Sequence, residues 1–185
     1  MSGTRRGVVK GAALGFLVPM LWSAVATAQD PATMPIETMP IETIIAQAPD
    51  LPPDSLYMLA ARLFAAGRRD EAVVWFYTAQ VRVRFRLAVA PDLPPDGEPA
   101  VYGALFETIG PQINGWAFGD IDRAAAHMEE ALDWDSSHAN AFTPKSGHEA
   151  ALEQVRSGLV ALRASVLTRK DETRWERAAN GLVNR

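Results

Sequence analysis

Six residues, Ala72, Phe76, Ala79, Val83, Leu87 and Ala90, follow one another at steps of four, three, four, four and three. That spacing puts them on one face of an α-helix. A rival pattern lies inside the same stretch. Val81-Arg82-Val83-Arg84-Phe85-Arg86-Leu87 alternates as a half-buried strand would. The alternation is short. Glu71, Trp75, Thr78, Arg82 and Arg86 form a second, mostly polar stripe in the same helical phase. Two stripes held in phase over about five turns outweigh it, and the spacing predicts one helix over 70–90. A helix of that length must bury its apolar face against other elements, so the rest of the chain decides the fold.

No other segment demands a sheet. Asp54 or Ser55 caps a helix to about Ala66, with Leu56, Leu59, Ala60 and Leu63 on one face and Gly67 as its stop. Pro99 suits the first turn of the next helix, and Gly110-Pro111 is expected to end it. Val101, Tyr102, Leu105, Phe106 and Ile109 are its expected buried face. A short helix follows over 113–118. Gly119-Asp120 then opens another, marked by Ile121, Ala124, Ala125, Met128, Ala131 and Leu132 and ending near Trp134. After a polar loop, Ser146-Gly147-His148-Glu149 fits a capping box. Leu152, Val155, Leu159, Leu162 and Val166 mark a last long helix running towards Asn180-Gly181, a left-handed cap. The fold class is therefore all-α, with helical hairpins packed as a short array or an irregular bundle.

The first 53 residues differ in kind. Arg5, Arg6 and Lys10 precede an apolar run from Gly11 to Val25, and Ala26-Thr27-Ala28 has the small-x-small pattern of a leader cleavage site. Residues 1–28 read as a signal peptide, cut between Ala28 and Gln29. The run is shorter than the roughly 20 residues of a membrane span, so a membrane role arises only for an uncleaved leader. The arginine pair also loosely resembles a twin-arginine export signal. Residues 29–53 read as a linker. Met34-Pro35-Ile36-Glu37-Thr38 is repeated at once as Met39-Pro40-Ile41-Glu42-Thr43, and recurrent prolines deny it a regular helix. Ile44, Ile45 and Leu51 could tuck onto the domain of 54–185.

The chain has 18 basic and 22 acidic residues, and the leader holds three of the basic ones and no acid. The mature part is therefore the more acidic, which disfavours nucleic acid as a partner. With no cysteine, disulfides, thiolate metal sites and cysteine nucleophiles are excluded.

Leu56, Leu59, Ala60, Leu63, Gly67, Ala72, Phe76 and Ala79 resemble the tetratricopeptide repeat, a helix-turn-helix unit of about 34 residues. Asp70-Glu71-Ala72 matches the usual start of its second helix. Glu71 to Tyr77 is similar to the aromatic stretch of Sel1-type repeats. Gly119, Ala124, Met128, Ala131 and Leu132 resemble the second half of another unit. Ala72 and Ala124 are 52 residues apart, and Arg84 and Ser136 stand where the family carries proline. The resemblance implies a protein or peptide partner held in a groove, and no catalysis.

Sequence motifs for chemistry are sparse. His127 and Glu130 lie one helical turn apart, but the spacing of His127, His138 and His148 lacks a zinc ligand pattern, and surface histidines are expected. Asp135, Ser136, Ser137 and His138 are neighbours in one segment, whereas catalytic triads are assembled from separate elements. No phosphate loop or dinucleotide fingerprint occurs. No catalytic residue, metal ligand or cofactor is expected. Charge is laid out unevenly. Six arginines fall between Arg62 and Arg86, and eight acids between Glu98 and Asp135. One consequence would be a basic surface of Arg82 and Arg86 with Trp75 and Tyr77, binding an anionic partner. The other is that the two halves pack and neutralise each other. The expected function is an exported, periplasmic or cell-envelope interaction or scaffold module. The alternative is an inhibitor or immunity-type factor, or an enzyme of unfamiliar type.

Overall fold

The computed structural model describes residues 34–185, together with Met1 and Gly3. The expected leader and its expected Ala28–Gln29 cleavage site lie outside the described residues. Seven helices follow in order among those described: α1 (Ile41–Gln47), α2 (Pro53–Ala65), α3 (Arg69–Val89), α4 (Glu98–Ala117), α5 (Ile121–Ser137), α6 (Glu149–Thr168) and α7 (Lys170–Ala179). The described chain is all-α. No described helix is long and apolar enough to cross a membrane.

Helix α3 is the axis of the fold. It packs against α2, α4, α5 and α6, and most intimately against α2. Leu59 and Leu63 of α2 and Phe76 and Ala79 of α3 are all sealed from solvent in one core, to which the close packing of α2 on α3 contributes. Each large side chain buried there contributes about 1.5–3 kcal/mol. The turn joining the two helices is a Schellman motif. Gly67 sits at φ 81°, and the Arg68 N–H reaches back to the Leu63 carbonyl at 2.9 Å. Gly181 closes α7 in the same way, at φ 72°, with Leu182 N–H on the Arg177 carbonyl.

Helix α2 begins at Pro53 without the side-chain cap expected from Asp54 or Ser55, and the last long helix is divided at Arg169 into α6 and α7. Three further segments depart from the expected layout. Helix α4 runs straight through Gly110-Pro111. Proline removes one backbone donor, and the Glu107 carbonyl that loses it lies on an exposed face that water can reach. Gly110 meanwhile lets α4 approach α3, since a Cβ there would stand 3.3 Å from Phe76 Cζ. At the start of α6 the capping box is displaced. Glu149 accepts from the Gly147 N–H at 2.9 Å, and no side chain caps the helix at its first position.

The third departure is the Pro-rich linker. Residues 41–47 form α1, and Met39, Ile44 and Ala48 are buried in the core. Pro40 stands just before the helix, where the missing N–H costs nothing. Arg62 donates to the Ile36 and Met39 carbonyls at 2.7 and 2.5 Å, which ties both copies of the five-residue repeat to α2. Residues 34–53 are therefore part of the packed domain.

Candidate binding cleft

The four residues expected to form an open basic surface do not form one. Trp75 is buried edge-on against Trp134, with centroids 4.8 Å apart. Tyr77 is buried, and its hydroxyl donates to Asn114 Oδ1 at 3.0 Å. Arg82 is 1 % exposed. Its guanidinium donates to the Ala48 and Ala139 carbonyls at 3.0 and 2.6 Å, faces Asp135 at 3.4 Å and lies over the Trp134 ring. Lys145 reaches the same carboxylate at 3.3 Å. Arg86 is half-buried in a two-pronged pair with Glu98, both bonds 2.9 Å. The polar stripe of α3 faces inward because α1, α5 and the loop after α5 cover it. The basic and acidic halves thus pair internally, which removes the reason to expect a cationic groove there.

His127 is likewise buried, not a surface residue. Its Nε2 lies 3.0 Å from Asp70 Oδ1, and Arg123 grips the same carboxylate twice at 2.8 Å. Hydrogen bonding from Arg123 holds the Asp70 carboxyl down at about 2. This cluster ties the start of α3 to α5. Near the end of α5, Ser137 Oγ stands 3.1 Å from His138 Nδ1. Both atoms are also bonded to carbonyls of their own helix, and Asp135 is taken by Arg82 and Lys145.

An open cleft lies on the other side of α3, between it and α4. Its volume is about 250 Å³. Gln80, Val83, Arg84 and Leu87 of α3 form one wall, at the spacing that puts them on a single helical face. Tyr102 and Phe106 of α4 form the other, with Tyr57 of α2 also lining the recess. Phe106 stacks on Phe76 at 5.9 Å, with 17° between the rings, so its inner face is fixed and its outer part is open. Val101 and Phe106 remain 48 % and 42 % exposed, against the expectation that both are buried. The apolar arc of α4 is wider than its contact with α2 and α3 can cover. That excess width was visible in the sequence as five apolar positions over only nine residues.

Tyr102 is a partition. Beyond it lies a second recess of about 240 Å³, bordered by Asp54, Glu98, Val101 and Phe142. The Tyr102 hydroxyl donates to Glu98 Oε2 at 2.9 Å, and Arg86 lies over the Phe142 ring at 5.2 Å. The bond to Glu98, itself held by Arg86, anchors the Tyr102 ring between the two recesses. Burial pushes the Tyr57 hydroxyl up to about 12, with the Arg84 charge opposing it, so it stays a neutral donor at physiological pH. Arg84 itself is exposed. Its nearest polar contact is Gln80 Oε1 at 3.4 Å, and it has no acid within ion-pair distance among the described residues. Gly103 lines the cleft, and a Cβ added there would meet nothing within 4 Å.

No protein-family model matches the chain. An uncharacterized protein of Haemophilus influenzae is 35 % identical over 86 residues, which covers 46 % of this chain and 33 % of that protein. The chain thus spans about a third of the length of the curated relative it matches. No solved structure matches.

Proposed function

We propose that this chain is an exported, non-catalytic partner-binding module of the periplasm or cell envelope, with the cleft between α3 and α4 as its working surface. The observation that carries the cleft is Arg84, a cation without an acid partner among the described residues, beside apolar walls that the fold leaves open. Apolar contact area next to a charge available to a ligand is what a recognition site requires. The leader-like first 28 residues support export. The tetratricopeptide-like spacing of 56–79 supports partner binding.

Two measurements test this. Material recovered from the cell envelope should begin at Gln29, as read by intact mass or N-terminal sequencing. A full-length chain in the cytosol would overturn the export reading. Gly103→Trp should place an indole in the cleft with little effect on the thermal midpoint, since residue 103 is helical, lines the cleft and has room for a Cβ. Quantitative mass spectrometry of captures from envelope extracts should then show partners of the unmodified protein lost from the variant. Unchanged capture would exclude the cleft as the working surface.

A further inference from the structure

We propose that the α3–α4 cleft takes an apolar monocarboxylate, with Arg84 binding the carboxylate and the apolar body lying between Val83, Leu87 and Phe106. This rests on the cleft being the working surface and specifies its ligand chemistry.

Size comes first. Pockets for drug-sized ligands and cofactors occupy about 300–1,000 Å³. The cleft, at about 250 Å³, suits a phenyl ring or a short alkyl chain and is too small to enclose a nucleotide. Polarity comes second. Four polar side chains line the recess, Tyr57, Gln80, Arg84 and Tyr102, and the Tyr102 hydroxyl is already committed to Glu98. The Tyr57 hydroxyl makes no hydrogen bond among the described residues and is free to donate. The Gln80 oxygen faces Arg84, which leaves the amide N–H groups as its remaining capacity. The guanidinium supplies further donors. No carboxylate lines this recess, so its polar complement is an oxygen acceptor. Charge comes third. A single arginine matches a single negative charge in the planar geometry that guanidinium and carboxylate share. The acids Asp54 and Glu98 lie just beyond Tyr102 and disfavour a dianion such as phosphate. The remaining walls are aliphatic or aromatic and offer few partners to a polyhydroxylated ligand.

The same chemistry occurs in a free apolar acid and at the C-terminus of a polypeptide ending in an apolar residue. Titration calorimetry on the purified protein separates the two. The probes are octanoate and 3-phenylpropionate with their amides, and a pentapeptide ending in phenylalanine with a free or an amidated C-terminus. At least one acid should bind, and its amide should bind about tenfold more weakly or worse, as loss of a charged hydrogen bond implies. Arg84→Gln should cause a similar loss, and Gly103→Trp should abolish binding, both with unchanged circular dichroism and thermal midpoint. Binding confined to the small acids assigns the site to a free acid. Binding confined to the peptide assigns it to a chain end. Either result supports the proposal. Equal affinity for acid and amide, with Gly103→Trp still blocking, would overturn the carboxylate assignment and leave the cleft standing. Binding that survives Gly103→Trp would place the acid elsewhere and overturn the proposal. So would no binding by any probe, whereas the cleft itself would then be judged by the capture measurement.

Discussion

Arg82→Ala should lower the stability of the domain by about 3–5 kcal/mol, read from urea or guanidinium unfolding. The side chain is sealed from solvent at the meeting point of α1, α3, α5 and the loop after α5. Truncation removes its bonds to the Ala48, Pro49 and Ala139 carbonyls. It also leaves Asp135, itself 1 % exposed, with Lys145 as its remaining cation. The cost is mainly that of buried polar groups left unpaired. Burial presses the Arg82 pKa downward and Asp135 opposes this, as expected for a charge held by its partner rather than by water. Arg82→Met with Asp135→Leu should recover part of the loss, because an apolar pair does not leave a lone charge behind. A loss below about 1 kcal/mol in the single variant would mean that water reaches the site and that the cluster contributes little.

Deleting residues 34–50 should be at least as damaging, at about 5 kcal/mol or more, and could unfold a domain of ordinary stability. The segment buries Met39, Ile44 and Ala48 and supplies carbonyl acceptors to Arg62 and Arg82. Far-ultraviolet circular dichroism during thermal melting checks it. Combined with Arg82→Met, the deletion should cost less than the sum of the two, since both remove the same contacts. Additive losses would show that α1 and Arg82 act independently. A midpoint within about 3 °C of the intact chain would return the segment to the status of a linker.

The Pro-rich segment shows why composition misled. Pro35, Pro40, Pro49, Pro52 and Pro53 interrupt the chain but leave 41–47 free of proline, enough for two helical turns. Such a short helix is unstable alone and forms because Ile44 finds a site on α2. Proline count records local stiffness and is silent on that docking. The site residues failed for a related reason. Arg82 and Arg86 sit on a polar stripe, and a polar stripe ordinarily faces solvent. Here other elements from distant parts of the chain supply acids and carbonyls to it. The actual cleft was half legible, since Val101 and Phe106 made the apolar arc of α4 too wide for one contact.

By itself the sequence determined the helical class, the α2–α3 seam and the stops at Gly67 and Gly181. Each depends on residues a few positions apart, where 3.6-residue periodicity and backbone sterics act directly. Tertiary structure alone decided that α3 is enclosed, that Arg82 is internal and that the uncovered part of α4 lies beside Arg84. Those outcomes depend on which surfaces meet between separate helices of the chain. Burial converts an arginine from a ligand-binding group into a structural one, and periodicity along one helix carries no record of what lies opposite.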